Sequence, residues 1–182
     1  MIKLCIDPGH GSSNRKAGVY DPGACAGNLT EAGVVLEWAL TGKWVCKEAG
    51  IECYLTRDDD SDPNPVGQRD DKAERENCTH FVSLHCNAGG GHGTETYYRD
   101  QRDKVLAQIA NTCAHQSLGL PNRGVKSEGS SQHPRLAVFD FDGPACLVEL
   151  GFIDNANDRL LLTKRECRLA FWRRFIGELK AL

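Results

Sequence analysis

Ile2-Lys3-Leu4-Cys5-Ile6-Asp7-Pro8-Gly9-His10-Gly11 is the stretch from which the rest of the chain can be read. Ile2, Leu4 and Ile6 alternate with Lys3, Cys5 and Asp7, the two-residue period of a strand. Pro8 has no N–H and Gly9 tolerates unusual backbone angles, so the ladder stops there. His10 then sits just past the C-terminal end of a buried strand, where open α/β sheets place their sites. By itself the pattern also fits a histidine in an ordinary turn. The polar residues on later strand ends decide between the two.

Outward from this strand, 11–27 reads as a long polar loop containing Asp21-Pro22-Gly23-Ala24, and a loop of that length is usually functional or disordered. Val34, Val35, Trp38, Leu40, Trp44 and Val45 give a helix over 30–49 a broad apolar face, with Gly50 suited to its end. A strand is expected over 51–56, a surface loop over 58–65 and a polar helix over 66–77. In the strand Phe81-Val82-Ser83-Leu84-His85-Cys86-Asn87, Ser83, His85 and Asn87 share one face and Val82, Leu84 and Cys86 the other. A glycine-rich loop, a strand over 94–99 and a helix over 104–118 follow. Next come a polar loop over 126–135, a short strand over 136–139, a buried strand over 145–150, and helices over 156–162 and 165–181. Strands alternating with helices predict an α/β fold: a mostly parallel twisted sheet of about six strands, flanked by helices on both faces. No repeat or linker divides residues 1–182, so one domain is expected.

The net charge of −3 on 182 residues gives no global case for nucleic acid or an anionic membrane. No run of about 18 apolar residues exists, so no integral membrane segment is expected. The N-terminus lacks the parts of a signal peptide. The nine cysteines are odd in number and form no C-x-x-C pair, which fits synthesis in a reducing cytoplasm.

His10, Glu31, His85 and Glu149 need a joint explanation. A carboxylate inside the apolar run Ala145-Cys146-Leu147-Val148-Glu149-Leu150 is costly to bury alone, and calls for a cation, a metal or a raised pKa. Two histidines at strand ends plus a glutamate make three N/O donors. Zinc hydrolases use such a set, keep a fourth position open for water and employ a second glutamate as general base. Glu31 also has a plainer reading, as an acidic first-turn residue favoured by the helix dipole.

The same residues carry a resemblance. Asp7-Pro8-Gly9-His10-Gly11, Asp21-Pro22-Gly23-Ala24 and Glu31 with Leu36 are similar to the opening of the zinc-dependent N-acetylmuramoyl-L-alanine amidases of the Amidase_3 type. Leu55-Thr56-Arg57-Asp58 with Arg69, Ser83-Leu84-His85-Cys86-Asn87-Ala88 and Asn122-Arg123-Gly124-Val125-Lys126 match later segments in order. So does Pro144-Ala145-Cys146-Leu147-Val148-Glu149-Leu150-Gly151-Phe152-Ile153 with Asn155. The resemblance implies one Zn²⁺ ion held by His10, Glu31 and His85, with Glu149 as catalytic base. It implies hydrolysis of the peptidoglycan amide between the lactyl group of N-acetylmuramic acid and the L-alanine of the stem peptide. The span from His10 to Glu31 is lengthened by 12–20, which leaves Glu37, over a turn further along, as a competing ligand. The interval from His85 to Glu149 has no room for the autoinhibitory helix of some cell-division members.

Other residues have two readings each. His92 and His133 could flank the cleft or be solvated. His80 and His115 read as structural. Ser83 and Asn87 could support His85, and Cys86 should point away from it. Arg57 and Arg69 could bind peptide carboxylates or form ion pairs. A zinc carboxypeptidase would need a short His-x-x-Glu motif, which Gly11-Ser12-Ser13 does not supply, and a non-catalytic wall-binding module could dispense with Glu149. A chain with no export signal that acts on the cell wall fits a bacteriophage endolysin, expected as a monomer; the alternative is a bacterial amidase trimmed to its catalytic domain. In the last helix Leu169, Trp172, Phe175, Ile176 and Leu179 form a stripe beside Arg165, Arg168, Arg173, Arg174 and Lys180. The favoured reading packs that stripe on the sheet; the other lays it on an anionic membrane.

Overall fold

The structure is a computed structural model that describes residues 1–131 and 135–182. In chain order the elements are β1 (Lys3–Pro8), α1 (Glu31–Glu48), β2 (Glu52–Leu55), α2 (Arg69–Arg75), β3 (His80–Asn87) and β4 (Thr94–Tyr98). Then follow α3 (Gln101–Leu118), β5 (Asn122–Ser127), β6 (Ala145–Phe152), α4 (Ala156–Leu162) and α5 (Arg165–Ala181). Among the described residues, six strands form one sheet in the order β2-β1-β3-β6-β4-β5. β2, β1, β3 and β6 run parallel, and β4 is antiparallel to β6. The α/β expectation holds, with helices on both faces.

Alternation along each strand sorts residues between two cores. Leu4, Ile6, Val82, Leu84, Cys86, Cys146, Val148 and Leu150 face α1, α3 and α5 in the larger one. Cys5, Phe81, Tyr97, Ala145 and Leu147 face Ala73 of α2 and Val138, Phe139 and Phe141. The chain leaves β1 for β2 on one side and returns to β3 on the other. The ends of β1 and β3 therefore flank a topological switch point, the crevice where such sheets bind ligands.

The stripe of α5 is covered by protein. Trp172, Phe175, Ile176 and Leu179 are buried in the larger core, together with α1, α3 and the sheet residues Leu4 and Ile6. The Trp172 indole donates to the Trp38 carbonyl at 2.7 Å, and Trp38 donates to the Leu162 carbonyl at 2.8 Å. Buried indoles need such partners. Arg165, Arg173, Arg174 and Lys180 are exposed. Among the described residues no helix is long and apolar enough to cross a membrane. The nine cysteines are free thiols.

Four expectations need correction. The stretch 136–139 is not a strand: Ala137–Asp140 forms a 3-10 turn. Arg99 donates to the Leu136 and Phe139 carbonyls, which frees them from any ladder. Asn122–Ser127, read partly as loop, is an edge strand. An edge strand buries little on either face, so it carries no hydrophobic alternation. The helix over 66–77 divides into a 3-10 turn, Val66–Gln68, and α2. Leu40 and Trp44 lie off the buried face of α1, at 37% and 44% exposure.

Candidate active site

The loop after β1 is fixed by a buried ion pair. Arg69 Nη1 lies 3.0 Å from Asp7 Oδ2, and Thr56 and Ser83 hydroxyls each donate to that carboxylate at 2.6 Å. Burial alone would raise the Asp7 pKa; Arg69, Ser83 and Thr56 outweigh it and hold the carboxyl at about 2. Arg69 Nη2 also donates to the His10 carbonyl at 3.0 Å. Arg57 donates to the carbonyls of Pro8, Gly9 and Ala32 at 3.1, 2.9 and 2.8 Å. Both arginines are therefore structural and buried, out of reach of a peptide ligand.

This pair gives a stability prediction. An Asp with a depressed folded pKa contributes stability above its ordinary value, and loses it as pH falls through the folded value. Arg69→Met removes the cation and strands a buried carboxylate, at a cost of about 3–5 kcal/mol near neutral pH. Denaturant titrations should show the gap to wild type narrowing as pH falls: the variant's Asp7, without its cation, takes up a proton at higher pH, and wild type loses its ion pair between about pH 4 and 2. A gap independent of pH would remove the ion pair from this account.

His10 is held in left-handed backbone, φ 61°, a conformation that costs a non-glycine residue roughly 1–3 kcal/mol and clusters at functional sites. Its Nδ1 donates to Asp21 Oδ2 at 3.1 Å, and Asp21 in turn accepts from Asn14 Nδ2 at 2.5 Å and the Gly23 amide at 2.9 Å. With Nδ1 carrying that proton, the Nε2 lone pair is left to a metal, and Nε2 lies 3.0 Å from Glu31 Oε2.

Glu31 is the first residue of α1, whose N-cap Thr30 accepts from the Gly33 amide at 3.1 Å. Backbone amides tether both of its carboxylate oxygens. Ala24 N donates to Oε2 and Cys86 N to Oε1, each at 2.9 Å. Oε1 also lies 3.0 Å from His85 Nδ1. The His10 and His85 rings meet edge to face, centroids 5.0 Å apart. Two glycines permit this crowding. A Cβ on Gly9 would come within 2.4 Å of the His85 ring, and one on Gly23 within 2.6 Å of Glu31 Oε2.

Ligand atoms of His10, Glu31 and His85 all lie within 4.8 Å of one another. Two donors bound at 2.0–2.1 Å in a tetrahedron stand roughly 3.3 Å apart, so the 3.0 Å nitrogen–oxygen separations suit a small cation. The electrostatics agree. Burial opposes charge on both partners. It is outweighed on Glu31, which His10 and His85 hold below the usual carboxylate range, and on His10, which Glu31 and Asp21 hold above the imidazole range. A site that favours a proton between two carboxylates and an imidazole also favours a metal in its place.

Glu149, on β6, pairs in register with His85 on one side and Glu95 of β4 on the other. It lines the same cleft of about 580 Å³, within the range of small-ligand sites. Its Oε2 is buried and has no partner among the described residues. Burial first, then the Glu31 and Glu95 carboxylates, push its pKa well above the usual range.

Of the remaining candidates, Glu37 is exposed and pairs with Arg168 at 3.5 Å, away from the site. Ser83 and Asn87 direct their hydrogen bonds away from His85: Ser83 donates to Asp7, and Asn87 donates to Glu95 at 3.1 Å. Cys86 points into the opposite core. His92 turns to the buried Asp158, outside the cleft. His80 bonds Thr79 and His115 the Leu120 carbonyl. His133 lies outside the described residues. Two features went unread in the sequence: Asp21 as the orienter of His10, and a buried Glu95 between Arg123 and Lys126. The alternation of Glu95 with Tyr97 was the available signal for the second.

Comparison with known proteins agrees with this geometry. Residues 4–173 match the family described as N-acetylmuramoyl-L-alanine amidase, Amidase_3. The chain is 30% identical over 171 residues to N-acetylmuramoyl-L-alanine amidase CwlM of Bacillus licheniformis, covering 87% of this chain and 59% of that protein. It is 30% identical over 178 residues to the endolysin of Bacillus phage SPP1, covering 90% of this chain and 60% of the other. The catalytic domain of CwlV, an N-acetylmuramoyl-L-alanine amidase from Bacillus (Paenibacillus) polymyxa var. colistinus, superposes with a TM-score of 0.84 at 27% identity, covering 100% and 99% of the two chains. The chain thus spans about three fifths of the length of the two relatives matched by sequence.

Proposed function

Because the chain belongs to the N-acetylmuramoyl-L-alanine amidase family, we propose that it cleaves the amide between N-acetylmuramic acid and the L-alanine of the peptidoglycan stem peptide. The proposal assigns His10, Glu31 and His85 as ligands of one zinc ion and Glu149 as catalytic base, on residues 1–182 acting as one catalytic domain. The observation that supports it most is the convergence of the His10, Glu31 and His85 donors beside an unpartnered Glu149 oxygen in one cleft.

When bound, zinc supplies Lewis-acid polarisation of the substrate carbonyl and acidification of a water. The chain's own residues do the rest. Asp21 fixes the His10 tautomer, and the Ala24 and Cys86 amides fix the Glu31 carboxylate, so the donors need little reorganisation. Glu149 removes the proton from the attacking water and delivers it to the alanine nitrogen as the C–N bond breaks. A carboxyl whose surroundings disfavour its charge is a stronger base once ionised, which suits both transfers. No covalent enzyme intermediate is required.

The similarity to the SPP1 endolysin supports a role in lysing the host of a phage, with the stem peptide reached after membrane breach. Purified cell walls test the chemistry. Digestion should release new L-alanine amino termini and no new reducing sugars. New reducing ends, or new amino termini only on other stem residues, would replace this reading with a glycosidase or a peptidase.

A further inference from the structure

We propose that Arg123 and Lys126, anchored on buried Glu95, form a subsite for a carboxylate on the peptide side of the scissile amide. This deepens the amidase reading and rests on it for the substrate. Glu95 is 3% exposed and accepts four hydrogen bonds. Asn87 Nδ2 and the Tyr97 hydroxyl bind Oε1 at 3.1 and 2.8 Å. Arg123 Nε and Lys126 Nζ both bind Oε2, at 2.5 and 2.6 Å.

One cation would neutralise Glu95, so the second is surplus. The cluster presents a net positive charge to the cleft that it shares with the candidate metal ligands. Lys126 Nζ makes one bond among the described residues, and Arg123 Nη2 makes none. The guanidinium also lies 5.0 Å from the Phe152 ring centroid, which limits where its free edge can point. Pre-set donors of this kind favour a planar carboxylate over a neutral amide.

Position along the sheet and the chemistry of the chain select which carboxylate. β5 bears both cations, but their charged ends reach back to Glu95, which pairs in register beside Glu149. The subsite therefore lies close to the proposed base, roughly one strand spacing of 5 Å away. The carboxyl of the L-alanine is spent in the next peptide bond, so the nearest carboxylate on the peptide side belongs to the second residue of the stem peptide. When that residue is a glutamate continued through its side chain, its α-carboxylate is free; amidation would remove the charge. Arg57 and Arg69 cannot serve instead, because both are buried in the loop network.

The test is calorimetric binding of two tripeptides to the zinc-loaded protein. Both are L-Ala-γ-D-Glu-L-Lys, one with a free α-carboxylate and one with its α-carboxamide. Charge-assisted hydrogen bonds lead us to expect roughly 10- to 100-fold tighter binding of the free acid. That ratio should collapse in Lys126→Met and in Arg123→Met, and persist in Lys126→Arg. Equal affinities in wild type, or a ratio untouched by both methionine variants, would overturn the subsite. Wall hydrolysis without discrimination would keep the amidase reading and remove the subsite. Discrimination without wall hydrolysis would do the reverse.

Discussion

Glu149→Gln is expected to lower wall hydrolysis by roughly 10²- to 10⁴-fold, the usual contribution of a general base, with fold and metal uptake retained. The amide fills the same space on β6 between His85 and Glu95, so the strand register need not move. It cannot take a proton from water. Nor does the change strand a charge, because the surroundings of Glu149 disfavour its ionised form. Cost to stability should therefore be small, and the loss should fall on kcat more than on KM. Rates on purified walls, with metal content measured on the same sample, decide it. Near wild-type turnover in a metal-loaded variant would move the base elsewhere, and Glu95 would be the next carboxylate to test.

The residues that set the fold were legible because each obeys a local rule. Alternation in Leu4-Cys5-Ile6-Asp7 and in Val82 to Asn87 put the site residues on the sheet face opposite the larger core, and the structure agrees. The apolar stripe of α5 was legible for the same reason, and it is buried in the larger core with α1, α3 and sheet residues. What the sequence hid depends on long-range pairing. The edge strand Asn122–Ser127 has no periodicity to read, and its polar residues find their reason only against Glu95. The segment 136–139 looked like a strand because Leu136, Val138 and Phe139 are apolar. They are buried as a 3-10 turn only because Arg99, distant in sequence, satisfies the carbonyls. Ser83 and Asn87 sat on the right face but serve Asp7 and Glu95, a choice that face-sharing alone does not determine.

His10→Ala and His85→Ala should each abolish wall hydrolysis and reduce bound zinc well below one ion per chain. Each removes one of three proposed protein ligands, and Glu37 cannot take its place, being turned to Arg168. The loss also exposes what the histidines offset: Glu31 is buried, and its charge is held against desolvation chiefly by these two rings. Chelation of the wild-type protein should reproduce the inactivity, and added Zn²⁺ should reverse it. Protons should compete with the metal at His10. Because Glu31 and Asp21 hold the His10 pKa above the ordinary imidazole value, zinc affinity should fall as pH drops, starting from above that value. Asp21→Asn separates ligation from orientation. It keeps the ligands but weakens the hold on the His10 tautomer, and such second partners typically contribute about 10- to 100-fold in metal affinity. Metal analysis of the three variants, with zinc titrations of wild type and Asp21→Asn across pH, orders them: alanine variants without metal, Asp21→Asn with weakened metal. Full zinc occupancy in both alanine variants would mean that the ion sits elsewhere, and that the cluster at the ends of β1 and β3 is held together by protons alone.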